Sequence, residues 1–188
     1  MEQWMSNMTK YALETSLKKI MLKKPLDKVT IQDVTNECGI SRMAFYYHFK
    51  DIYDLVEWIC VEDATKALQG KKMYDTWQEG LSQIFEVVLE NKPFILNVYH
   101  SVSREQIENY LYQLTYRLIE DVVEEKAGQM INSSEKQFIA NFYKYGFVGI
   151  MLDWIKHGMK EDYHDIVEYM SITLKGTIVQ SIQNFSEK

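Results

Sequence analysis

The stretch Thr30–Lys50, TIQDVTNECGISRMAFYYHFK, decides the fold. It reads as two short helices joined by a tight turn. Thr30 with Asp33 three residues on is a variant of the capping box, in which paired side chains satisfy the first backbone N–H groups of a helix. Ile31, Val34 and Cys38 then fall at i, i+3 and i+7, one apolar face of a short helix. Gly39 supplies the left-handed conformation that ends it. Ile40 is placed to fill the angle between the helices, and Ser41 to cap the second one. On that second helix Ala44, Phe45 and Phe49 face inward. Arg42, Met43, Tyr46, Tyr47 and Lys50 are left largely outward. A short helix with an outward set of Arg, aromatics and Lys suits a reader of the DNA major groove.

Upstream of this stretch, Tyr11, Leu13, Leu17, Ile20 and Met21 make an apolar stripe that predicts a first helix over residues 7–24. Lys10, Lys18, Lys19, Lys23 and Lys24 fall on its polar side and read mainly as a solvated face. Pro25 ends the helix, because the residue before a proline is driven out of the helical region. Three helices of this kind make a small DNA-binding domain.

Downstream, every segment again repeats at helical spacing. Helices are expected over about residues 51–70, 74–91, 93–100, 103–127, 134–157 and 163–185. With the first three, that is about nine helices and an all-α fold. The expected division is a helix-turn-helix DNA-binding domain over residues 1–50 and a helical regulatory and dimerisation domain over 51–188. The helix beginning at Asp51 connects the two.

Charge follows the same division. The chain of 188 residues carries a net −6, but residues 1–50 hold 8 Lys and Arg against 5 Asp and Glu, a balance of +3. The remainder holds 13 against 22, a balance of −9. The basic end is the end with the helix-turn-helix, as a nucleic-acid reader requires. Cys38 and Cys60 have no partner at metal-ligand spacing and read as free thiols in a reducing cytoplasm. No signal-peptide core and no membrane-length apolar run is visible, so a cytoplasmic protein without membrane contact is expected. There is no nucleophile elbow, phosphate-binding glycine loop, His-Glu-x-x-His or paired Cys motif. The four His (48, 100, 157 and 164) are scattered. No enzyme, catalytic residue, metal or cofactor is expected.

The spacing Thr30, Val34, Cys38-Gly39-Ile40-Ser41 and Phe45-Tyr46-Tyr47-His48-Phe49-Lys50 resembles the DNA-binding motif of the TetR family of bacterial transcriptional regulators. Two departures stand out. The family's usual Gly-Thr in the recognition helix is Met43-Ala44 here, and the second lysine of a common Lys-x-Lys is Ile52. The stretches DIYDLVEW (51–58) and FYKYGFVGIMLDWIKHGMKED (142–162) are similar to a subgroup of the family that includes the activator of a bacterial dihydroxyacetone kinase operon. In that activator the resemblance implies a body that engages a kinase-like protein partner.

The resemblance implies the site residues. Arg42, Met43 and Ala44 stand where the second helix enters the groove, with Arg42 suited to a bidentate contact with guanine. Thr30, Ser41, Tyr46, Tyr47, His48 and Lys50 occupy positions that approach the DNA backbone and set orientation. A dimer reads two half-sites about 34 Å apart or a multiple of that, which predicts a palindromic operator. Phe138, Phe142, Gly146, Gly149, Ile150, Met170, Leu174, Ile178 and Ile182 are candidates for a four-helix homodimer interface. Tyr99, His100, Tyr110, Tyr116, Phe142, Tyr145 and Trp154 are aromatic candidates for an effector pocket, although most of them read more simply as ordinary core or dimer contacts. The reading is a regulator that binds a palindromic operator as a homodimer, a repressor released by an unidentified small-molecule effector. The alternative is a transcriptional activator or co-regulator acting through a protein partner held by the C-terminal domain.

Overall fold

The computed structural model describes residues 2–68 and 76–188. Their elements are α1 (Glu2–Met21), α2 (Ile31–Cys38), α3 (Arg42–His48), α4 (Ile52–Ala67), α5 (Trp77–Glu90), α6 (Lys92–Ser101), α7 (Arg104–Ala127), α8 (Ser133–Lys156), α9 (Tyr163–Leu174) and α10 (Thr177–Ser186). One 3-10 turn, Leu26–Lys28, lies between α1 and α2. The fold is all-α, as the periodicity predicts. The expected helix limits at 70 and 74 fall outside the described residues.

Local chemistry sets the helix starts. Thr30 Oγ1 accepts from the Asp33 amide at 3.1 Å, and Asp33 Oδ2 accepts from the Thr30 amide at 2.8 Å, a complete capping box. Gly39 closes α2 with φ 72°, a left-handed conformation that residues with a Cβ rarely adopt. Ser41 and Asp51 cap α3 and α4 by accepting from Ala44 and Asp54. Ser103 with Gln106, and Asn132 with Glu135, form capping boxes for α7 and α8.

The described residues form two large cores and a small third cluster of Ile107, Val148 and Leu152. The N-terminal core holds Leu13 and Leu17 of α1, Val34 of α2, and Phe45 and Phe49 of the reader. It is completed by Leu55, Val56 and Ile59 of α4, Phe94 and Val98 of α6, and Tyr110 of α7. The reading helices therefore rest on residues that come from well beyond position 50. The body core holds Phe85 of α5, Ile119 and Val123 of α7, Tyr143 and Trp154 of α8, Met170 of α9, and Ile178 and Ile182 of α10.

The structure departs from the expected single helix over 163–185. Gly176 adopts φ 75° and divides it into α9 and α10. The apolar phase runs unbroken across the division, so periodicity hides it. The break lets α9 pack on α5 while α10 turns onto α7 and α8.

Candidate nucleic-acid interface

Phe45, with no exposed surface, and Phe49, with 3%, anchor the reader from below. The opposite side of α3 is open. Met43 is 82% exposed and Tyr47 81%, with Arg42, Tyr46 and Lys50 also exposed. The separation follows from the 3.6-residue repeat: Phe45 and Phe49 are four apart on the inner face, and Arg42, Met43, Tyr46 and Tyr47 occupy the rest of the circumference. Ala44 lies at the margin, half-buried. Arg42 folds along the helix so that Nη2 donates to Tyr46 Oη at 3.3 Å, with the guanidinium 5.9 Å from the ring centre.

The candidate backbone contacts are held differently. Ser41 Oγ accepts from the Ala44 amide at 3.1 Å, which leaves its own proton for an incoming oxygen. Thr30 Oγ1 donates to Asp33 Oδ2 at 2.8 Å, so Thr30 would surrender that bond to donate to phosphate. His48 is half-buried at the end of α3, with Tyr47 edge-on 4.9 Å away. Burial, and then the nearby Lys10 charge, lower its pKa and favour the neutral ring.

The lysines of α1 and of the turn after it are more committed than a solvated face. Lys10 Nζ sits 5.8 Å from the Phe49 ring centre and 5.5 Å from that of Trp58. Lys18 Nζ bridges Glu14 at 2.7 Å and Asp63 at 2.8 Å. Lys24 Nζ lies 2.6 Å from Asp33 Oδ2, and Lys19 pairs with Glu37. Helical spacing places these lysines on the polar side but carries no signal of partners outside the helix.

A separate, almost wholly apolar cavity of about 70 Å³ opens between α4, α5, α6 and α7. Its walls include Cys60, Ala64, Ile84, Val88, Ile95, Tyr99, Tyr110 and Leu111. Burial pushes the Cys60 thiol up to about 12; burial, and then Glu57, push the Tyr110 phenol to about 12. Both stay neutral near pH 7. Asp63 at the rim is paired with Lys18.

Two of the seven expected effector residues share this space. Tyr99 and Tyr110 line the cavity. His100, one position on from Tyr99, is carried round to the exposed side of α6. Trp154 fills the body core and donates from Nε1 to the Glu161 carbonyl at 3.0 Å. Tyr116 lies 5.6 Å from Lys144 Nζ, and Phe142 and Tyr145 are exposed on α8. Aromatic residue type gave no information on which face each ring takes.

The residues expected at a dimer face also separate. Phe138, Phe142, Tyr145 and Ile150 are exposed along α8, with Tyr169 and Ile172 exposed on α9. Gly146 and Gly149 lie on open space, since an added Cβ at either would meet nothing within 4 Å. A groove of about 800 Å³ runs between α8 and α9, with Leu174, half-buried, at its edge. Met170, Ile178 and Ile182 instead turn into the chain's own core, at 5%, 9% and 2% exposure. The break at Gly176 sends α10 inward, which a continuous helix would not have done.

An exposed recognition helix, capped and seated on the N-terminal core at the basic end of an all-α chain, defines a helix-turn-helix DNA-binding protein. The model for bacterial regulatory proteins of the tetR family matches residues 17–59, and a model for a transcriptional regulator C-terminal region, TetR_C_8, matches residues 75–176. The chain belongs to the TetR family of transcriptional regulators; it is not an enzyme. It is 22% identical over 175 residues to the HTH-type dhaKLM operon transcriptional activator DhaS of Lactococcus lactis subsp. lactis (strain IL1403), covering 90% of this chain and 92% of that one. It is 28% identical over 116 residues to the uncharacterized HTH-type transcriptional regulator YerO of Bacillus subtilis (strain 168), which spans 55% of this chain and 40% of that protein. The solved structure of the dihydroxyacetone kinase operon activator DhaS superposes with a TM-score of 0.66 at 19% identity, covering 94% of this chain and 97% of that one, and shares the fold. Among the described residues no helix is long and apolar enough to cross a membrane, and no cluster of His, Cys, Asp or Glu is placed to hold a metal ion.

Proposed function

We propose that the chain acts in the bacterial cytoplasm as a homodimer that binds a palindromic operator, and that a small molecule in the cavity sets its affinity for DNA. Residues 1–50 would read the DNA and residues 51–188 would dimerise and respond. The observation that carries this reading is the division of α3, with Phe45 and Phe49 buried while Arg42, Met43, Tyr46 and Tyr47 stand in solvent. Arg42 is the candidate base reader, and Ser41, Tyr46, Tyr47, His48 and Lys50 are the candidate phosphate contacts, joined by Thr30 if it releases Asp33.

The apolar side chains along α8 and α9 support a two-fold pairing of these helices. A monomer gains nothing by leaving Phe138, Phe142, Ile150, Tyr169 and Ile172 in water, and small residues at 146 and 149 let a partner's backbone approach closely. The neutral, apolar cavity supports an uncharged effector, and a repressor released by that effector is the reading we adopt. A second reading, activation through a protein partner, is favoured by the relative described as an operon activator.

The test is binding of the purified protein to DNA from around its own gene at two salt concentrations. Tight, salt-sensitive binding to one palindromic site, far above random DNA, is expected. Equal affinity for random DNA would overturn the proposal of a sequence-specific reader in the free protein.

A further inference from the structure

We propose that the side chain of Asn97 couples the apolar cavity to the DNA-reading helices: an uncharged occupant larger than the cavity displaces α6, and α6 moves the turn that leads into α2 through Asn97. For what fills the cavity in the cell, this inference rests on the small-molecule reading above.

The geometry begins with an unusual reach. Asn97 stands in the middle of α6, more than 70 residues from the segment it holds. Its Oδ1 accepts from the Leu26 amide at 2.8 Å, while Nδ2 donates to the Met21 carbonyl at 2.9 Å and the Lys24 carbonyl at 3.0 Å. Ser101 Oγ donates to the same Oδ1 at 3.2 Å and fixes the amide's orientation. The carbonyl of Met21 is one of the last four of α1, which have no partner within the helix. The Lys24 carbonyl and Leu26 amide lie at the entrance to the 3-10 turn, whose own backbone bonds, Lys28 N–H to the Pro25 carbonyl and Val29 N–H to the Leu26 carbonyl, use neither of them. One side chain therefore satisfies three backbone groups of the segment that sets where α2 begins. Among the described residues these three groups bond to Asn97.

The same helix is a wall of the cavity. Phe94, Ile95, Val98 and Tyr99 flank Asn97 in sequence and line it. An apolar cavity of about 150 Å³ holds one benzene. The space here, about 70 Å³, is roughly half of that. A ring-sized ligand is therefore enclosed only by moving a wall, since packed interiors have low compressibility and transmit strain. The ligand is uncharged, because the Cys60 thiol and Tyr110 phenol are neutral and Asp63 is already paired with Lys18. Helix α6 also packs on α1 and on the Leu26–Lys28 turn. A shift of α6 then reaches the reader at the three Asn97 bonds, each of which is lost over a displacement of well under a helical turn.

The experiment is a double-mutant cycle on the protein with Val88→Phe, which pushes a larger side chain into the cavity from α5, and Asn97→Ala. Hydrogen exchange is read at the Leu26 amide and across residues 31–48, and the melting temperature of each variant is recorded. Val88→Phe is expected to speed Leu26 exchange at least about fivefold and to change exchange across residues 31–48. In the Asn97→Ala background the response across residues 31–48 should vanish. Distant independent sites add, so a response across residues 31–48 that is equal in both backgrounds would overturn the coupling. So would unchanged Leu26 exchange in a folded Val88→Phe protein. Ile84→Phe replaces Val88→Phe if that variant does not fold. A second arm uses the neutral dye N-phenyl-1-naphthylamine. Binding to the native protein, lost in Val88→Phe, should reproduce the exchange response, and binding without any response would overturn the proposal. Absence of dye binding counts against the small-molecule reading, while the cycle still decides the role of Asn97.

Discussion

Arg42 Nη2 donates to the Tyr46 hydroxyl at 3.3 Å, one helical turn along α3. The bond holds the guanidinium against the helix in the free protein and narrows the conformations it must give up on meeting a base edge. Arg42→Ala removes the only arginine on the reader. Its loss should cost about 1–3 kcal/mol of discrimination at one base pair per half-site, with non-specific binding much less affected. Tyr46→Phe keeps the ring and removes the hydroxyl, so a smaller loss, of about two- to fivefold in affinity, is expected. Fluorescence anisotropy on operator and scrambled duplexes measures both. Equal weakening on the two duplexes would make Arg42 a phosphate contact.

Exposure separates two sets of apolar residues in the C-terminal helices, and mutation should separate them too. Phe142 is 66% exposed on α8, and Ile150 lies on the same helix at 40%. Phe142→Glu and Ile150→Glu should give monomers in sedimentation experiments with full helical circular dichroism, because neither side chain supports the chain's own core. Ile182 is 2% exposed between α10 and its neighbours. Ile182→Ala should lower stability by about 2–5 kcal/mol through the lost transfer energy and the cavity left behind. Dimers that persist in both glutamate variants would remove α8 from the interface.

The Cys60 thiol gives a chemical readout of the cavity wall. Burial pushes its pKa to about 12, and the thiolate is the species that reacts. In a Cys38→Ser background, alkylation of Cys60 at pH 8 should run at least about a hundredfold slower in the native than in the unfolded protein. The sign of the linked stability follows. The neutral thiol is favoured by folding, so this contribution is whole below the unfolded value near 9 and is lost as pH rises from there toward about 12. Iodoacetamide labelling followed by mass spectrometry measures the rate. Labelling as fast as in urea would mean that the wall opens readily.

The reader was legible in the sequence because its signals are local. The capping pair Thr30 and Asp33, the left-handed Gly39 and the phase of Phe45 and Phe49 each act within one or two helical turns. Asn97 was not legible. Within FILNVY it is one polar residue in an apolar run, and its partners at Met21, Lys24 and Leu26 are set by how α6 crosses the end of α1. The fate of Ile178 and Ile182 was hidden for another reason. Gly176 keeps the apolar repeat in phase while turning the chain, so spacing alone assigned a core-facing helix to a surface. The aromatics assigned to a pocket failed to converge because ring type says nothing of facing, as the neighbours Tyr99 and His100 demonstrate.

Asp33 ties the start of α2 to the turn that follows α1 and sets a specific acid response. Its Oδ2 accepts from Lys24 Nζ at 2.6 Å and from both the amide and the hydroxyl of Thr30 at 2.8 Å. Lys24 first, and then the Thr30 amide and hydroxyl, hold the carboxyl at about 2, below its usual 3.8. A depressed folded-state pKa means that the ionised form stabilises the native protein above the unfolded value. That contribution is whole above about pH 4 and fades as pH falls through about 2. Asp33→Asn keeps the shape but loses the charge. Its melting temperature should fall below that of the native protein at pH 6, and the gap should close between pH 4 and pH 2. Lys24→Ala should remove part of the same gap, and added salt should shrink that part, since the pair is solvent-accessible. A gap that stays constant down to pH 2 would show that the carboxylate's charge contributes nothing and that only the shape of the cap matters.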